Sequence, residues 1–307
     1  SIVPDDATTT TLVDGIEYRG ALSIYQVGDD KLSVINAVDI EDYLKSRLAT
    51  IVDKKYSPEA LAALVIAERT NAYFLAKKNK GAVWNVRAND VKYNGFAVTL
   101  DNEEVEKAVL MTSHLVMSYE AELFPASWMV HSGGKVAPYS LVFRRDVPGP
   151  RSVIEAPFAA LDRGATKWNC TVTRDNLARI AKLDKITHLD VYKDKESGKV
   201  YALVCYDGEQ KSVVGFEQLQ NGIGADILRS SDFSVAMQSL EVVFQGYGLG
   251  HGVGLCLYSA EKMAERGNTA DEILSTFFPQ TSVMMGPSLL KKIELHSNIV
   301  PDNVAVN

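Results

Sequence analysis

The longest unbroken apolar pattern runs from Ala60 to Ala67, without a polar side chain among them. A helix apolar on every side belongs inside the protein, because a surface helix keeps a polar stripe for water. Its start is marked just upstream. Ser57 suits the N-cap, Pro58 the first helical position, and Glu59 the positive end of the helix dipole. Glu68, Arg69, Thr70 and Asn71 then break the run before Ala72–Ala76. Four polar residues in succession cover every azimuth of a turn, so at least one faces inward, paired or beside a solvated cleft. The readings left open are a site, a structural Glu68–Arg69 network, or a helix end emerging into water.

Other segments alternate with the period of a strand. Tyr18–Tyr25 and Lys31–Val38, joined through Gly28–Asp30, predict a hairpin, with a short helix over Ile40–Lys45. A helix is expected over Glu103–Met111, then strands over Leu115–Tyr119 and Ser127–Val130 that run into His131–Gly134. The stretch Phe143–Gly164 reads as an irregular loop. Beyond it the pattern predicts a helix over Thr173–Lys182, a hairpin from Ile186–Tyr192 and Gly198–Cys205, and a helix from Gly215. Near the end, glycine occupies Gly246, Gly248, Gly250, Gly252 and Gly254, every second position. On an extended strand this leaves one bare face, with Tyr247 and His251 on the other. Bare backbone in a strand implies close approach, either of a ligand such as a flat sugar ring or of a packed element. Helices should follow over Tyr258–Arg266, stopped by Gly267, and from Thr269, where Glu272 completes a capping box, to before Pro279.

Composition narrows the function classes. With 46% hydrophobic and 23% charged residues in 307, the chain is an ordinary folded protein, large enough for one big domain or two modest ones. A net charge of -7 argues against general nucleic-acid binding, which needs a basic surface. No apolar run reaches the roughly 18 to 20 residues that span a bilayer. Cys170, Cys205 and Cys256 are too scattered for a zinc motif and read as small buried thiols.

Several of these segments resemble, in the same order, the stage II sporulation protein D (SpoIID/LytB) family. Tyr18–Gly20, Val34–Asn36 and Glu41–Leu44 look like its opening strands and "LEDYL" segment. Pro58–Leu61 with Ala67, Arg69 and Thr70 resembles its "PEAL" helix, and His131–Gly134 a shortened "HSTSGG" turn. Ser197–Val200, Leu228–Phe233 and Gly248–Gly254 are similar to its "SGRV", "LRSTxF" and "GWGHGVG" segments. The resemblance covers about Tyr18 to Pro279. It implies a mixed α+β fold with a buried helix. The expected core spans 12–164 and 236–285, with an inserted α+β subdomain at 165–235, a tail or linker at 1–11 and a C-terminal tail at 286–307.

The resemblance also implies an exported, periplasmic or wall-associated protein that acts on peptidoglycan glycan strands, without a cofactor. The alternative it carries is a non-catalytic scaffold or amidase enhancer, with an amidase or another wall enzyme as partner. Expected substrate contacts are Arg69, Tyr73, His131, Ser132, Gly133, Gly134, Tyr247, Gly250, His251, Gly252 and Gly254. Of the family's metal-binding cysteines and histidines only His131 is matched, so no metal site carries over. The family's catalytic glutamate falls on Ile51, and the serine and glutamine of its "GMSQ" fall on Cys256 and Leu257. Lytic cleavage needs a carboxylic acid to protonate the bridging oxygen, which isoleucine cannot do. Either Glu68 or Asp53 has taken the role, or the protein binds without cutting. Glu59 is more simply a helix-start residue. His131 and Ser132 are neighbours that point to opposite faces of a strand and so form no couple. His251 lines the groove or is a satisfied histidine beside the glycines.

Overall fold

The computed structural model describes residues 1–6, 8–28, 31–52, 55–79, 82–96 and 102–286. The hairpin tip at Asp29 and Asp30, the candidate Asp53 and the C-terminal tail from 287 onward lie outside these residues. About 32% of the chain is helix and 30% strand, a mixed α+β fold. The chain forms two compact units, 1–123 with 283–307, and 124–282.

The first unit opens with two antiparallel hairpins, β1 (Thr11–Val13) with β2 (Ile16–Tyr18), and β3 (Ala21–Gly28) with β4 (Lys31–Ala37). The stretch 1–11, expected to be a tail, is tied down at Ile2, which exchanges backbone hydrogen bonds with Leu22 at 2.7 and 2.8 Å. Then come α1 (Ile40–Ala49), α2 (Pro58–Lys78), α3 (Ala88–Val91), α4 (Glu103–Met111) and β5 (Leu115–Tyr119). The all-apolar run explains why α2 is the centre of this unit: Ala60, Ala63, Leu64, Val65 and Ala67 are fully buried, and α1, α4 and β5 pack around it. α1 extends one turn beyond the expected Lys45 and begins at Asp39, whose carboxylate accepts from Glu41 N–H at 2.8 Å.

The second unit contains β6 (Trp128–Met129), β7 (Lys135–Val136), α5 (Tyr139–Phe143) and β8 (Ile154–Glu155), then a 3-10 turn at Arg163–Thr166. β9 (Lys167–Thr173) leads into α6 (Arg174–Ala181), capped by the Thr173 hydroxyl. β10 (His188–Lys193), β11 (Val200–Tyr206) and β12 (Lys211–Gly215) form one antiparallel sheet, followed by α7 (Phe216–Ile223). β13 (Phe233–Met237), β14 (Glu241–Tyr247) and β9 form another, in the order β13-β14-β9. Because β9 pairs with β14, the stretch 165–235 shares a sheet with the residues after it and lies wholly within the second unit. Trp168, Leu177, Leu203, Phe216, Phe244 and Val253 share its core. β15 (Leu255–Cys256) runs parallel to β6, then α8 (Leu257–Ala264) and α9 (Ala270–Phe277) complete the unit, with the capping box of Thr269 and Glu272 formed. The final strand, β16 (Thr281–Met285), rejoins the first unit from Val283.

The glycine-rich segment corrects the strand expectation. β14 ends at Tyr247, and Gly248, Gly250, Gly252 and Gly254 all have positive φ, between +77° and +115°. A left-handed conformation at every second residue makes a folded loop, not an extended strand. Close approach is the reason for the glycines, and protein atoms make it. A Cβ on Gly248 would come within 2.7 Å of the His131 carbonyl oxygen, and one on Gly254 would fall on the Ser127 carbonyl.

Candidate functional site

In the first unit the polar break of α2 is built into the interior. Arg69 is fully buried. Its Nε and Nη2 donate to the two Glu41 carboxylate oxygens at 3.0 and 2.6 Å, and its Nη1 donates to the Leu115 carbonyl at 3.1 Å. Glu68, 3% exposed, pairs with Arg47 at 3.3 Å. The network is therefore Glu41–Arg69 and Arg47–Glu68, not the Glu68–Arg69 pair that adjacency suggested. Thr70 donates to Ile66 and accepts from Met117 N–H, and half-buried Tyr73 has its hydroxyl pKa raised by burial and by Glu41. Among the predicted contacts of this unit, Arg69 thus has its donors committed to the fold.

The second unit brings the other predicted residues together. His131 and Leu249 exchange backbone hydrogen bonds at 3.1 and 2.8 Å, which locks the His131–Gly134 turn against the glycine loop. Each carbonyl of the turn has its own donor. His131 receives Leu249 N–H, Ser132 receives Lys199 Nζ, Gly133 receives Arg163 Nη1 and Gly134 receives Ala156 N–H. Behind the turn Asp232 binds Arg163 with both oxygens, at 2.6 and 3.1 Å, and Lys199 at 3.1 Å. Lys199 is 1% exposed, and burial, partly offset by Asp232, lowers its pKa. The Arg163 guanidinium also lies 4.2 Å over the Tyr247 ring, a favourable cation–π position.

The two histidines of the segment differ. His251 accepts from Val253 N–H at 3.1 Å on Nδ1, meets Phe143 edge-on and is linked to the Trp128 backbone. It keeps some surface, yet the protein packed around the ring pushes its pKa down to about 4. It is a satisfied histidine. His131 is 4% exposed and accepts from Gly133 N–H on Nδ1 at 3.0 Å, while its Nε2 has no hydrogen-bond partner. Among the described residues no three His, Cys, Asp or Glu side chains gather to hold a metal ion.

Arg163, Lys199 and Asp232 were not expected as part of the arrangement. Lys199 and Asp232 sit inside segments already matched to the family, so a signal was present; Arg163 lies in an irregular loop that gave none.

A family model described as stage II sporulation protein matches residues 28–119. Over 84% of its length the chain is 24% identical to stage II sporulation protein D of Bacillus subtilis (strain 168), covering 78% of that protein. Over most of its length the chain is thus similar to stage II sporulation protein D. It is also 39% identical, over 43% of its length, to an uncharacterized protein of Chlamydia muridarum (strain MoPn / Nigg), of which 46% is covered. It is 22% identical, over 78% of its length, to the amidase enhancer of Bacillus subtilis (strain 168), of which 40% is covered. The chain thus spans less than half of the chlamydial relative. In this chain Cys256 and Leu257, which follow the glycine loop, are buried. No helix among its described residues is long and apolar enough to cross a membrane.

Proposed function

We propose that this protein is an exported cell-wall protein that binds the glycan strands of bacterial peptidoglycan in wall remodelling or division. The observation that carries the reading is the His131–Gly134 turn. Arg163 and Lys199, both bound by Asp232, hold it together with a glycine loop, and beside it lies an aromatic–guanidinium pair, Tyr247 with Arg163, of the kind that receives sugar rings. The similarity to stage II sporulation protein D supports the choice of polymer. The protein holds strands without cutting them at the position the family uses, since Ile51 stands there and Glu68 is enclosed with Arg47.

Peptide-free glycan strands incubated with the purified protein test this directly. Strand binding by co-sedimentation with no anhydro-sugar ends by mass spectrometry is the expected result, and Ile51→Glu should then generate such ends. Anhydro products from the unaltered protein, lost in Asp53→Asn or Glu68→Gln, would instead identify a relocated acid. The similarity to an amidase enhancer supports a second reading, a scaffold that stimulates a wall amidase. Faster amidase turnover on intact sacculi, without strand binding by the protein alone, would select it.

A further inference from the structure

A second feature of the same unit, resting on the glycan reading, defines which part of a sugar is recognised. Because Gly133 N–H donates to Nδ1 of His131, the ring proton resides on Nε2. That N–H is buried and meets no acceptor. A buried donor without a partner is costly, and native proteins keep few of them. The ring also stays neutral, since burial outweighs the opposing pull of Asp162 and adds to the effect of Lys199 and Arg163.

Two side chains that the His131–Gly134 clamp does not use stand beside this donor. The Tyr258 ring, half-buried, is tilted over the imidazole with centroids 4.7 Å apart. Asp162, half-buried at the head of the Arg163–Thr166 turn, lies close enough to the Tyr258 hydroxyl and to His131 to act on both electrostatically. A neutral N–H donor, a carboxylate acceptor and an aromatic face therefore converge. An acetamido group is their complement: its carbonyl accepts from Nε2–H, its amide N–H donates to a carboxylate, and its methyl packs on an aromatic ring.

We infer that His131, Asp162 and Tyr258 form a subsite for the acetamido group of an N-acetylated amino sugar, entered when the Tyr258 ring turns off the imidazole. A deacetylated sugar lacks both the carbonyl and the methyl, so the subsite discriminates between the two.

The test titrates the protein with the N-acetylglucosamine tetramer and with its fully deacetylated counterpart, following the His131 imidazole nitrogens by NMR. The acetylated tetramer should shift Nε2 and bind about tenfold tighter or better, the scale of one well-made polar contact. Asp162→Ala and Tyr258→Ala should each reduce that preference about tenfold in protein that circular dichroism shows to be folded. Equal binding of the two tetramers, or binding of peptide-free strands with an unmoved Nε2 resonance, would overturn the subsite and leave the glycan reading standing. Absence of binding to any of the three glycans would remove both.

Discussion

The guanidinium of Arg69 gathers α1, α4 and β5 around α2 with a single side chain. Glu41 takes two of its N–H groups, and the Leu115 carbonyl and Thr112 hydroxyl take others. A fully buried cation that loses its partner is left uncompensated, whereas an apolar replacement of the whole pair is often nearly neutral. Glu41→Ala should therefore destabilise the protein by about 3–5 kcal/mol in urea denaturation. The double replacement Glu41→Leu with Arg69→Met should recover much of that loss. Both residues were visible in the sequence as parts of recognisable motifs. Their pairing was not, because a separation of 28 positions carries no information on contact. Adjacency suggested Glu68 as the partner, but neighbours on a helix point about 100° apart and do not face each other.

At the scale of elements, legibility followed the physical signal. α4 and β5 have the expected bounds because their periodicity is unambiguous, and the capping box of α9 is formed as Thr269 and Glu272 indicated. The glycine segment misled because a period of two has two origins: side chains alternating across a strand, or backbone alternating in and out of the left-handed region. Only the torsions distinguish them. Gly254→Ala adds a left-handed alanine, costing about 1–2 kcal/mol, to a collision with the Ser127 carbonyl, so its melting temperature should fall further than backbone strain alone predicts. The same loop makes stability acid-sensitive through His251. Its folded pKa, about 4, lies below the unfolded value of 6.5, so the unfolded chain takes up a proton first as pH falls. Stability is complete above pH 6.5 and declines toward pH 4, by up to about 3 kcal/mol from this group. His251→Gln should flatten that part of the pH–stability curve measured by chemical denaturation.

For the whole molecule, collinear motifs spread over most of the chain pointed to a likeness with stage II sporulation protein D where no single motif would have done so. Their residues divide between the two units: Glu41 and Arg69 stabilise the first, while Lys199, Asp232 and the glycine loop stabilise the second. Much of what the motifs preserve is thus internal architecture, and this is why they reported fold more plainly than site. Arg163, Asp162 and Tyr258 escaped notice because an irregular loop and an ordinary helix start carry no periodic signal. At this scale the decisive substitution is Ile51→Glu. Gain of anhydro-sugar products would mean that the architecture for cleavage survives around a missing carboxyl group.

The four carbonyls of the His131–Gly134 turn bear on how the second unit folds. Their donors are Ala156, Arg163, Lys199 and Leu249, spread over more than ninety positions of later chain. Closing such long loops costs entropy before any of these bonds forms, so the turn consolidates late, after the flanking sheets have assembled. Its interactions should then be missing from the folding transition state. Asp232→Asn weakens the clamp, and in stopped-flow experiments it should accelerate unfolding while the folding rate stays close to that of the unaltered protein. The turn would act as a latch on kinetic lifetime, setting how long the folded second unit persists before it opens.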